Sequence, residues 1–88
     1  MSIAGALLKN RLVACSNIID NVSSRFWWNG KIDKADESLV IVKTKRDRFP
    51  EIEREVKRLH SYDIPEIIAM PVVAGSKDYL DWVKNSVA

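Results

Sequence analysis

One cysteine, one histidine, three glycines and three prolines are all that these 88 residues contain of the usual structural and catalytic specialists. A lone Cys15 excludes an intrachain disulfide, the staple of small secreted domains. Three scattered glycines exclude a phosphate-gripping glycine loop, and neither a CxxC pair nor an HExxH motif occurs. No apolar run reaches the length of a membrane span, and the opening "MSIAGALLKNRL" lacks a basic leader and a long enough apolar core for a signal peptide. Charge of one sign is also scarce in excess: 14 basic and 12 acidic residues leave a net +2, giving no general attraction to nucleic acid or to an anionic membrane. A cytoplasmic protein is the expectation.

Apolar residues make up 47% and charged residues 30%, an ordinary globular mixture for one domain. A chain this short buries only about 60–65% of the surface its unfolded form exposes. With no disulfide available, oligomerisation is the remaining support.

Ile3, Leu7 and Leu8 give residues 2–10 a short helical pattern. "RLVACSNII" (11–19) reads as a strand, "DNVSS" as a bend or bulge, and "RFWW" as the strand resumed. Asn29-Gly30 is the strongest short-range signal for a two-residue hairpin turn. "KIDKADESLVIVKT" then runs back. That turn pairs Trp28 with Lys31 and Trp27 with Ile32, and brings Cys15 near Thr44 unless a bulge at Asn21 shifts the register. Each arm is about 14 residues, or roughly 45 Å. Asp47 is the expected cap of a second helix, with Pro50 in its first turn and Phe49, Ile52, Val56 and Leu59 as its apolar stripe. "EIIAMPVV" (66–73) reads as another strand. Ser76 is the expected cap of a last helix whose apolar face is Leu80, Val83 and Val87, flanked by Tyr79 and Trp82.

Two helices of 10–12 residues, each roughly 15–18 Å long, cannot cover a 45 Å arm. Yet both arm faces are apolar. Ile18, Phe26, Trp28, Leu39 and Ile41 are expected on one, and Ile19, Trp27, Ile32, Val40 and Val42 on the other. An uncovered apolar arm calls for another chain. Tryptophan is enriched at interface hot spots, so Phe26, Trp27, Trp28 and Trp82 are the candidate subunit-interface residues.

Few residues suggest chemistry. His60 needs partners to act as a ligand or base, and Asp63, Glu66 and Cys15 are the candidates; its simpler role is to sit at the negative end of a helix dipole. Cys15 reads as a small buried hydrophobe. Asp33, Asp36 and Glu37 lack ordered cation-ligand spacing and read as a solvated strand edge. "KTKRDR" is interrupted by Asp47 and reads as a solvated junction. No nucleophile–base pair is suggested, and no enzyme is expected.

"RLVACSNII", "WWNGKI", "ESLVIVKT", "LHSYDIPEIIAMPVVAG" and "DYLDWV" together resemble, in order and spacing, the divalent-cation-tolerance (CutA) family. The resemblance covers nearly the whole chain. It implies an α/β (α+β) ferredoxin-like sandwich with a long β-hairpin, assembled as a homotrimer similar to PII-type proteins. It also implies a non-catalytic part in tolerance of copper and other divalent metals. On this resemblance residues 1–88 form one domain that is N-terminally incomplete. "MSIAGALLKNRL" aligns with the later part of the family's first helix, and the first strand, central in the sheet, is missing. Copper binding in the family is tied to a cysteine on that strand and to paired histidines. Here only His60 has a counterpart, with Leu59 in the other place, and Cys15 belongs to the later "AC-x-N" motif. The expected metal contacts are therefore His60 and Glu66, holding copper(II) or another divalent cation weakly. The alternative is a trimeric scaffold that recruits a protein partner without metal.

Overall fold

The β-rich arms do form one antiparallel hairpin. In the computed structural model, which describes residues 2–60 and 64–88, the elements are α1 (Ile3–Lys9), β1 (Cys15–Trp28), β2 (Lys31–Lys43), a 3₁₀ turn (Arg46–Arg48), α2 (Phe49–Leu59) and α3 (Lys77–Ser86). The molecule measures 45 × 26 × 21 Å, its long dimension equal to the expected arm length.

At the tip, Asn29 and Gly30 take φ of 52° and 75°, the left-handed pair that matches the twist of the flanking strands. Trp28 faces Lys31 and Trp27 faces Ile32, as expected. A side chain at Gly30 would meet nothing within 4 Å, so only the backbone constrains the position. Gly30→Val should therefore cost about 1–2 kcal/mol through its left-handed φ alone, and Gly30→Asn much less. Thermal melts of the two variants check this; equal losses would show that something other than φ sets the cost.

Midway down the arm the ladder slips. Ile19 pairs with Leu39 but Val22 pairs with Glu37, so Asp20 and Asn21 together oppose Ser38. This is a β-bulge, with Asn21 at φ 63° and the Ser38 hydroxyl donating to Asp20 Oδ1 at 2.7 Å. It corrects two expectations. Cys15 faces Lys43 rather than Thr44. Ile18 and Ile19 also exchange faces, because one extra residue inverts a period-two pattern. Ile19, Phe26, Trp28, Leu39 and Ile41 share one face; Ile18, Trp27, Ile32, Val40 and Val42 share the other.

The expected strand start at Arg11 is also corrected. Arg11 takes φ 55°, its N–H bonds to the Leu8 carbonyl, and the Leu12 N–H bonds to the Leu7 carbonyl. That is a Schellman closure of α1, with Leu12 folded back onto Leu7. Residues 11–14 thus end the helix and enter the core, and β1 begins at Cys15. Ser2 caps the other end, its Oγ accepting from Gly5 N at 3.0 Å.

Leu7, Leu12, Val13 and Ile52 form the buried core, with Ile3, Val42 and Val56 packed against it. Val42 brings in the base of the hairpin. The Thr44 hydroxyl donates to the Leu12 carbonyl at 2.6 Å, and Ala14 N–H bonds to the Lys43 carbonyl at 2.8 Å. At the far end, Ala88 N–H reaches the Arg11 carbonyl at 2.9 Å, and Val83 of α3 and Val87, just past its end, are both buried.

Two helix starts differ from expectation. Asp47 lies inside the 3₁₀ turn and pairs with Arg48 (3.5 Å) instead of capping. The cap position of α2 is Arg48, with no side-chain cap bond, and Pro50 stands in the first turn as expected. Ser76 does occupy the cap position of α3, but with no side-chain cap bond. Finally, residues 66–73 form no strand. Among the described residues the sheet has two strands, β1 and β2, so this apolar stretch has no ladder to join.

Candidate functional site

The hairpin beyond the bulge is the feature the fold does least to explain. Phe26, Trp27 and Trp28 are fixed there by the β1 alternation and the turn that follows them. Trp27 is 73% exposed and its cross-strand neighbour Ile32 is 67% exposed; Trp28, on the opposite face, is 45% exposed. Ile18, Ile19, Leu39, Val40 and Ile41 are exposed nearer the base. An apolar surface running along both faces of one arm far exceeds the scattered exposure normal for a monomer.

A second exposed aromatic group lies on α3. The Tyr79 and Trp82 rings are 5.7 Å apart and tilted by 35°. The Tyr79 hydroxyl meets the Cys15 thiol at 3.7 Å, either group being able to donate. That hydrogen bond, more than burial, raises the Tyr79 phenol above its usual range. Cys15 is half-buried and free, engaged with a phenol and not with metal-type ligands. It fits its expected role as a small hydrophobe only in part.

His60 terminates α2, with its N–H bonded to the Val56 carbonyl at 2.8 Å and an extended backbone at φ −77° and ψ 143°. It therefore stands at the negative end of the helix dipole. Glu66 is exposed. Among the described residues no group of three or more His, Cys, Asp or Glu side chains gathers into a cation cage. Asp63, weighed as a partner for His60, and Tyr62 of the "H-x-Y" motif lie outside the described residues. The solvated acidic edge is partly engaged: Glu37 accepts from Ser24 at 3.3 Å and Asp33 from the Lys34 N–H at 2.8 Å.

The junction "KTKRDR" borders an open cleft of about 510 Å³, whose walls include Thr44, Arg46, Val72, Leu80 and Lys84. The composition of this cleft was not foreseeable from sequence. Val72 belongs to the unpaired stretch and Leu80 to α3, and only the fold brings them beside the end of β2.

Long hairpin, bulge, helix order and the motif spacings converge on one family, and the model of the CutA1 divalent ion tolerance protein matches residues 1–86. The chain belongs to the CutA1 divalent ion tolerance family. A CutA divalent-cation tolerance protein of Archaeoglobus fulgidus is 47% identical over 85 residues, covering 97% of this chain and 82% of its own length. The chloroplastic CutA 1 of rice is 40% identical over 84 residues, covering 96% of this chain. This chain spans about half of that plant relative, 48% of it. The solved structure of the Thermus thermophilus CutA1 superposes with a TM-score of 0.95 at 41% identity, over 98% of this chain and 84% of that one. The mixed α/β architecture with its two-stranded hairpin and three helices is thus one that CutA1 structures share. Family members are named for tolerance and not for a reaction. No helix among the described residues is long and apolar enough to cross a membrane.

Proposed function

We propose that this CutA1-family chain works as a homotrimer in the response to divalent cations, binding copper(II) weakly and without catalysis. The observation that carries the assembly is the arm with two exposed apolar faces, Trp27 and Ile32 on one and Phe26 and Trp28 on the other. A ferredoxin-like sheet similar to that of PII-type proteins fits the same elements. In that reading a further strand lies between the free edge of β2 and residues 66–73, which supply apolar side chains and unpaired backbone for it. Residues 1–88 then act as one domain. Trp82, beside Tyr79, joins Phe26, Trp27 and Trp28 as the subunit-contact set.

For the metal, an imidazole nitrogen from His60 and a carboxylate from Glu66 suit copper(II) by donor type. Two protein ligands leave the remaining positions to water, which is why the binding is weak. The reading involves no nucleic acid and no membrane. A free, half-buried Cys15 suits the reducing cytoplasm. Calorimetric titration of tag-free protein with copper(II) tests the metal reading. His60→Ala should lower the affinity about tenfold or more, and unchanged affinity would remove His60 as a ligand. A second reading rests on the exposed Tyr79–Trp82 pair: a trimeric scaffold that holds a protein partner without metal. Partner capture that survives chelation favours the scaffold.

A further inference from the structure

The rows of the hairpin differ in charge. On the face that carries Trp27 and Ile32, the next row toward the base is Arg25 directly opposite Lys34. Two like charges facing each other across a ladder are destabilising. Both side chains are exposed, and among the described residues no carboxylate pairs with either; the ion pairs lie at residues 47–58 and at Lys77–Asp81. The row beyond holds Ser23 and Asp36, and the Asp36 carboxylate has no partner among the described residues either. The arm therefore presents an apolar row, a doubly cationic row and an acidic row in succession on a single exposed face.

We infer that the Arg25–Lys34 row is an electrostatic contact between subunits, receiving carboxylate groups from a second copy of this chain. Charge complementarity supports a second copy as the occupant: the same arm carries an unpaired cationic row and, one row away, an unpaired acid. A second arm packing its apolar row nearby brings carboxylates within reach of the dication. The inference rests on the trimer reading and adds to it the side chains that fix how neighbouring arms register. An isolated arm gains nothing from this row. An assembled one turns a repulsive pair into an attractive contact, partly desolvated beside the Trp27–Ile32 row.

The two cases predict opposite signs for one substitution. Lys34→Glu places a carboxylate opposite Arg25 and would relieve the repulsion within a single arm. In the trimer it places like charge against the neighbour's carboxylates. Subunit exchange between isotopically labelled and unlabelled protein, followed by native mass spectrometry at low salt, reads the difference. Lys34→Glu should exchange about tenfold faster than wild type or more, and Lys34→Gln should also exchange faster. Wild-type exchange should accelerate as salt is raised. Circular dichroism verifies that both variants are folded, and the neutral variant carries the test if the reversed one is not. Exchange at the wild-type rate or slower in the folded variants overturns the inference while leaving the trimer standing. A wild type that is monomeric overturns the trimer reading itself.

Discussion

Trp28→Asp is expected to convert the proposed trimer to monomers while leaving the monomer folded. Trp28 shares its face with Phe26 and is 45% exposed within its own chain. Its burial is half complete before any partner arrives, and its orientation is fixed by pairing with Lys31 beside the tight turn. A large, preorganised aromatic side chain at the end of a stiff arm has the character of a hot-spot anchor, and such residues lose about 2 kcal/mol or more on truncation. An aspartate does worse than a truncation, since its carboxylate must leave water without a partner. In the proposed trimer three arms would carry the change at once, which multiplies the loss. The core of Leu7, Leu12, Val13 and Ile52 lies at the opposite end of the arm, so the monomer keeps its helices. Native mass spectrometry at micromolar protein, with circular dichroism on the same sample, checks both halves. A mutant trimer as resistant to dilution as wild type would show that Trp28 is not buried between subunits.

The tip was legible in the sequence because its signals are local. Asn29-Gly30 dictates the turn, and the turn dictates the Trp27–Ile32 and Trp28–Lys31 pairs. The base was harder, because one residue decides it. "DNVSS" suggested a bulge, but a bulge at Asp20–Asn21 exchanges Ile18 with Ile19, and only the observed register fixes where the exchange falls. Arg11 hid the end of α1, since a left-handed closure normally announces itself with glycine. The apolar, β-branched "LVAC" that follows serves a core as well as a strand. Residues 66–73 have the composition of a strand, yet a strand is made by its neighbour, and no described strand pairs with them. Contacts such as Cys15 with Tyr79, 64 positions apart, leave no trace in spacing. The proposed metal contacts were least legible: among the described residues no cation cage forms, and His60 is accounted for as the end of a helix.

Leu7→Ala should be the most damaging single change to the fold of the chain. Leu7 is 2% exposed and is the residue on which α1 closes. Its carbonyl accepts the Leu12 N–H at 3.0 Å, and its side chain meets Leu12 within the cluster that also holds Val13 and Ile52. Removing a buried leucine side chain costs about 2–5 kcal/mol, the upper end applying where the surroundings cannot collapse. Collapse is restricted here. Leu12 is tied by its own backbone bond, Val42 is held by the ladder with Ser16, and the Thr44 hydroxyl anchors the base of β2 to the Leu12 carbonyl. Small domains hold only about 5–15 kcal/mol in total, so the loss takes a large share of what keeps α1, α2 and the hairpin base together. The effect should differ in kind from that of Trp28→Asp. Leu7→Ala lowers the unfolding midpoint in urea at any protein concentration, whereas Trp28→Asp acts on association and its effect grows on dilution. Urea melts of both variants at two protein concentrations separate the roles. A Leu7→Ala midpoint within experimental error of wild type would mean that the cluster around Leu7 is not the core that holds the arm in place.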